Sequence, residues 1–278
     1  MRDPFKIEPP FCVSFSGGRT SGYMLWRILQ AHGGTMPADS VVLFANTGKE
    51  MPETLDFVER CSREWSVPIV WVEYRSKVDG KKRHAVVSNA TASRAGEPFA
   101  ALIRDRGFLP NPVSRFCTVE LKIIAMAEYL RSIGWAAWDC AVGIRADEPL
   151  RTAKIRANPS GGTKGVERIL PLVEAGITTR DVGEFWSCND FDLALPSVLG
   201  KTMHGNCDLC FLKGASQTLS LVREGPSRAN WWMEQERIIG ARFRSDRPSY
   251  AEMHRMATMH GELFPFSDES IEDCACTD

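Results

Sequence analysis

Ser14–Met24 reads SFSGGRTSGYM, with two adjacent glycines set between serines. The stretch follows the apolar run Phe11–Cys12–Val13 and leads into Met24–Leu29, which has helical character. A glycine-rich turn from a strand into a helix is an anion cradle: the glycines let backbone N–H groups approach closely, and the helix start adds positive potential. Two familiar nucleotide loops do not fit. Gly17 and Gly22 have the spacing of G-x-x-x-x-G-K-[ST], but Tyr23 stands where the lysine belongs. The fingerprint G-x-G-x-x-G fails because Gly17 and Gly18 are adjacent. What remains is S-G-G-x-x-S over Ser16, Gly17, Gly18, Arg19, Thr20 and Ser21. Its serines offer hydroxyls, and Arg19 offers a bidentate cation.

Outward from this turn the pattern alternates. Phe11–Phe15, Val41–Ala45 and Ile69–Tyr74 read as buried strands, with helices over Thr20–His32 and Pro52–Trp65 between them. Such alternation predicts an α/β fold, a parallel sheet covered by helices on both faces. Residues 76–95 are polar and locally basic and read as a loop. A short helix near Pro98–Arg106 follows. Thr118–Ile133 reads as a helix with Ile123, Met126, Ala127, Leu130 and Ile133 on one face, and Ala136–Ile144 as another strand of the same sheet. Beyond Arg145 short helices, tryptophans and loops dominate. A boundary near residue 160 separates an α/β unit, 1–160, from a helical, loop-rich part, 161–278, expected to pack on it.

Composition narrows the class. The 278 residues are 44% hydrophobic and 25% charged, with net charge −1, so no global positive field draws the chain to nucleic acid or membrane. No run of about 18 apolar residues is present, and the first ten residues lack a signal-peptide core. A cytoplasmic location is expected. Nine cysteines at irregular spacing argue against a disulfide framework and for metal or redox work by some of them. Cys207-x-x-Cys210 is a good metal-ligand pair. Cys117 opens a helix, where thiolate is favoured. Cys12, Cys61 and Cys140 read as core, and Trp231 and Trp232 as packing residues.

Several strings carry a resemblance. S-G-G-x-x-S resembles the loop of the PP-loop ATP pyrophosphatases, which cleave ATP between the α and β phosphates. ANTGKEMPETLDFV (45–58), SRFCTVELK (114–122), VGIRADEPLR (142–151) and HGNCDLCFLKG (204–214) resemble, in order, segments of the phosphoadenosine-phosphosulfate (PAPS) reductase family, a branch of that group. The resemblance implies a Rossmann-like doubly wound sheet of the PP-loop type that binds an adenine nucleotide. It implies phosphates over Ser14 and Ser16–Ser21, with Asn46, Thr47, Gly48, Gly143, Arg145 and Arg151 contributing and Arg19, Lys122 and Arg145 acting on the reacting charge. Some relatives hold a [4Fe–4S] cluster, which places Cys117, Cys207 and Cys210 as ligands. Phe116 stands where a second cysteine would be, so Cys274 or Cys276 is the further candidate, with zinc as the competing metal. Two departures favour ATP with Mg²⁺ over PAPS: the intact loop, and a tail reading E-D-C-A-C with no histidine after it. The expected reaction is ATP cleavage to AMP and pyrophosphate, coupled to sulfur transfer or nucleotidylation. The alternatives are a genuine reductase using a tail cysteine, and a non-catalytic nucleotide-binding subunit. The expected partners are the nucleotide, an acceptor for which the basic stretch Lys77–Arg94 points to nucleic acid, and a thioredoxin-like or sulfur-donor protein. A homo-oligomer or complex subunit without membrane attachment is expected.

Overall fold

A computed structural model describes residues 3–76, 83–198, 201–205 and 207–259. Its centre is a six-stranded sheet. The elements run β1 (Phe11–Ser14), α1 (Arg19–Ala31), β2 (Ser40–Asn46), α2 (Pro52–Glu64), β3 (Ile69–Tyr74), β4 (His84–Val87) and α3 (Glu97–Arg106). Then come a π-helical segment (Thr118–Ile124), α4 (Ala125–Ser132), β5 (Trp138–Val142), α5 (Pro149–Ala157) and β6 (Val166–Ile169). The remainder is α6 (Pro171–Glu174), α7 (Thr179–Ser187), a small hairpin β7–β8 (Ser197–Val198, Lys201–Thr202), α8 (Ala215–Glu224), α9 (Ala229–Ile239) and α10 (Tyr250–Met259).

The strand order is β4-β3-β2-β1-β5-β6. All pairings are parallel except β3 with β4. The chain leaves β1 toward β2 on one side and returns to β5 on the other. The β1/β5 boundary is therefore a topological switch point, with a crevice at the strands' C-terminal ends where ligands of such sheets bind.

Local chemistry explains the main helices. α2 begins with Pro52 and carries Glu53 in its first turn and Arg63 in its last, matching the helix dipole. α3 stops at Gly107, which takes the left-handed conformation. Thr178 and Asp181 close a capping box on α7.

The sheet's two faces fill differently. On one, Phe11, Val13, Phe15, Phe44 and Trp71 pack with Leu25 and Ile28 of α1, Leu55 and Val58 of α2, and Trp186 of α7. On the other, Cys12, Leu43, Ala45 and Val72 meet Ala125, Ala127 and Leu130. A further apolar cluster joins Phe99, Leu102 and Leu121 to Phe211, Trp232, Phe243 and Tyr250, so the C-terminal helices share a core with earlier elements.

Three expectations change. Residues 84–87, read as loop, form β4 and pair antiparallel with β3, so the sheet is mixed. Four residues are too few to show a period, and pairing with Trp71–Tyr74 supplies the strand. The helix predicted over 118–133 divides into π and α parts, and Ile133, at the C-cap, is exposed. Strand β6 pairs with β5, so the sheet runs past residue 160.

Candidate functional site

The glycine turn lies at the switch point. Gly17 adopts φ +80°, and a Cβ there would stand 2.7 Å from Thr54 Cγ2. Both facts demand glycine. Ser21 Oγ donates to Gly18 O (2.9 Å), accepts from Ser16 N (3.1 Å) and pairs with Ser16 Oγ (2.9 Å). The loop is thus closed by its own serines at the start of α1, whose first amides have no intrahelical acceptor. Gly143, just past β5, brings the second strand end close: a Cβ there would be 3.3 Å from Ser21 Cα. Arg145 follows. Its Nη1 donates to Thr20 Oγ1 at 2.7 Å, its Nε to Asp147 Oδ1 at 3.1 Å, and its Nη2 lies 3.6 Å from Glu148 Oε2. Burial alone would raise the Asp147 carboxyl, but hydrogen bonds from Thr179 and the Arg145 charge together hold it below the usual range.

Arg19 has a different setting from the one expected. Its Nε and Nη2 grip Asp192 (both 2.7 Å), Nη2 also donates to Leu193 O (2.6 Å) and Leu195 O (3.0 Å), and Nη1 donates to Thr202 Oγ1 (3.2 Å). Trp186 Nε1 donates to Arg19 O at 2.8 Å. Arg19 here clamps Asp192, Leu193, Leu195 and Thr202 over the turn. No local signal marks Asp192, Trp186 or Thr202 as partners, because they lie more than 160 residues along the chain. Between clamp and turn lies a cavity of about 250 Å³, bordered by Ser16, Gly18, Thr20, Arg145 and Thr202.

A larger cavity, about 460 Å³, opens on the other side of the turn, against the face of the sheet that carries α4. Ser14 and Ser16 border it, and Lys122 from the π segment and Arg151 from α5 supply cations. Arg151 is ion-paired with Glu148. Asn46, Thr47 and Gly48 border neither cavity. Asn46 Nδ2 donates to the buried Glu73 carboxylate (2.7 Å) and Ser93 O (2.9 Å). Thr47 donates through N (2.9 Å) and Oγ1 (2.8 Å) to Glu50. Gly48, at φ +79°, packs on Gly96. These three shape the loop after β2.

That loop touches the cysteine segment. Glu50 forms an isolated antiparallel bridge with Cys207, Asp208 N donates to Lys49 O (2.7 Å), and Lys49 Nζ pairs with Asp208 (2.9 Å). Cys207 Sγ lies 3.5 Å from Thr47 Oγ1. Burial pushes the Cys207 thiol up and the Glu50 charge pushes the same way, while Lys122 pulls down. Burial likewise raises the Glu50 carboxyl, against the pull of Lys122. Cys117 is an electrostatic neighbour of Cys207, whereas Cys210 is one of Tyr250. His204 is bound to Glu224 (2.7 Å). Among the described residues, no three His, Cys, Asp or Glu side chains gather to hold a metal ion. Asn206, Cys274 and Cys276 lie outside the described residues.

Comparison with known proteins places the chain. It is 29% identical over 216 residues to the uncharacterized nin region protein ORF290 of Escherichia phage lambda, covering 76% of this chain and 68% of that protein. It is structurally similar to the U34-tRNA thiolase NcsA from Methanococcus maripaludis, solved with its [4Fe–4S] cluster, at 15% identity and a TM-score of 0.43 over 83% of this chain and 72% of that one. The phosphoadenosine phosphosulfate reductase domain matches residues 10–193. The match takes in the glycine turn, the loop after β2, the π segment and Arg145, and the chain belongs to the phosphoadenosine phosphosulfate reductase domain family.

Proposed function

We propose that this protein is an adenine-nucleotide enzyme that cleaves ATP to AMP and pyrophosphate and couples that cleavage to sulfur transfer or nucleotidylation. The observation that carries the reading is the self-closed turn Ser16–Ser21, held against Arg145 between two cavities. Nucleoside and α-phosphate take the larger cavity beside Ser14 and Ser16. The β and γ phosphates lie toward Thr20 and Arg145.

The chemistry follows from charge. An acceptor oxygen attacks the α-phosphorus, the bond to the β-phosphate oxygen breaks, and pyrophosphate leaves. A sulfur nucleophile then displaces AMP. Turn amides, the N-terminus of α1, Arg145 and Lys122 stabilise the charge that builds on the phosphates. Arg19 acts here by fixing the turn. Mg²⁺ enters with the nucleotide, since α1 has no acidic residue in its first turn. Cys207 is buried, under the influence of Glu50 and Lys122, and borders neither cavity. Cys117, Cys207 and Cys210, the expected ligands of a [4Fe–4S] cluster or zinc, do not gather around one point among the described residues.

The test is turnover of ATP labelled separately in its α and γ phosphates. Labelled AMP and pyrophosphate, abolished by Arg145→Ala, support the proposal. Release of ADP and phosphate, or no turnover of ATP beside turnover of PAPS with a reduced thioredoxin-like protein, overturns it. Iron, sulfide and zinc per chain, measured on anaerobically purified protein, decide between a cluster and zinc.

A further inference from the structure

Cys12, Cys140 and Arg168 form a row across three neighbouring strands. Register pairs Cys12 of β1 with Cys140 of β5, and Cys140 with Arg168 of β6. Side chains paired this way project to one face of a sheet, and all three border the larger cavity. Cys12 is buried and Cys140 half-buried. The thiols are neighbours: Cys140 is the largest influence on the Cys12 thiol, and with burial it keeps Cys12 protonated. Arg168 in turn interacts with Cys140. A cation beside the attacking sulfur stabilises the negative charge carried through the attack. Strands in a sheet lie about 4.7–4.9 Å apart, within the Cα separation of about 4.4–6.8 Å that a disulfide spans.

The geometry points to Cys12 and Cys140 as an oxidisable dithiol opening on the larger cavity, with Cys140 attacking a peroxide, Cys12 resolving and Arg168 favouring the attack. In the first step the Cys140 thiolate attacks one oxygen of hydrogen peroxide. The O–O bond breaks, Cys140 becomes a sulfenic acid, and hydroxide leaves. In the second, Cys12 sulfur attacks Cys140 sulfur, the S–O bond breaks, and the Cys12 proton leaves with the hydroxyl as water. Two thiols lose two electrons, and peroxide is reduced to water. The dithiol does not depend on what occupies the cavity. If a nucleoside does, the disulfide crosses its floor.

Peptide mapping tests this on the full chain. Trypsin releases Ile7–Arg19 and Ser132–Arg145, each with a single cysteine. After brief peroxide treatment, thiol alkylation and digestion without reductant, these two peptides should appear joined, lighter by two hydrogens than their sum. Cys12→Ser should abolish the link and let dimedone trap the sulfenic acid at Cys140. Arg168→Gln should slow that trapping about tenfold, the direction a lost cation gives. Phenylarsine oxide, which needs two adjacent thiols, should shield both peptides from alkylation in the untreated wild-type protein, a readout that needs no variant. Recovery of both peptides as separate alkylated thiols while the exposed Cys188 oxidises would overturn the dithiol. An unchanged trapping rate in Arg168→Gln would overturn the part given to Arg168.

Discussion

The same strands build two unlike faces. Along β1 and into the turn, the sequence Phe11–Cys12–Val13–Ser14–Phe15 alternates large and small side chains. The large ones join Phe44 and Trp71 under α1 and α2, where space is filled. The small ones join Ala45 and Cys140 on the other face, where about 460 Å³ stays open. Both faces are apolar. What separates a filled core from an open cavity here is side-chain volume, since voids larger than a water molecule are scarce in well-packed interiors.

Breaking the filled face should cost most. Phe44→Ala, at a fully buried position, should lower unfolding free energy by about 3–5 kcal/mol in urea titrations. A loss under about 1 kcal/mol would mean that this face is no better packed than the other.

The clamp over the turn comes next. Arg19→Ala and Asp192→Ala should each cost about 1–3 kcal/mol and should not add in the double variant. ATP binding separates two roles for Arg19. Equal weakening by both substitutions identifies a clamp, and weakening by Arg19→Ala alone identifies a phosphate ligand.

On the open face, Ala45→Leu places volume in the cavity. Stability should fall by about 1 kcal/mol, the low end of what added volume costs at a buried position. ATP affinity, by calorimetry, should fall about tenfold, or about 1.4 kcal/mol. Unaltered affinity would move the nucleoside out of this cavity.

The smallest expected effect is a pH slope. Glu50 holds its proton more tightly folded than unfolded, because burial disfavours its charge. The folded state therefore loses stability as pH rises above the unfolded carboxyl's range, about pH 4.3. Glu50→Gln should flatten that decline in unfolding titrations taken upward from about pH 4. An identical slope would assign it to other groups.

How much could be read beforehand depended on distance along the chain. Strands β1 to β3 and helices α1 and α2 were legible because each carries its own period and its own start signal. The glycine turn was legible as a turn for the same reason: six adjacent residues form it, and Arg145 lies three residues past β5. β4 was not, since its four residues become a strand only by pairing with β3. The setting of Arg19 was hidden because Asp192 and Thr202 reach it from beyond the sheet. Asn46 looked like a ligand-facing residue, yet its amide is taken by Glu73 and Ser93, both supplied by later segments. Cys12 and Cys140 looked like small core residues one at a time; strand register makes them neighbours.

The π-helical segment has a bearing on how this chain can vary. A π turn behaves as an α-helix that has taken in one extra residue. Thr118, Val119 and Lys122 from that segment border the cavity together with Met126 and Leu130 of α4. In a regular α-helix a one-residue change turns one side by about 100° against the other, and the wider π turn absorbs that shift. Deleting one residue between Lys122 and Ala125 would restore ordinary winding and leave the turns on either side facing as they do now. A homologue one residue shorter here would have an ordinary α-helix with the same faces toward the cavity, so a gap within this stretch marks loss of the π turn and not loss of the site.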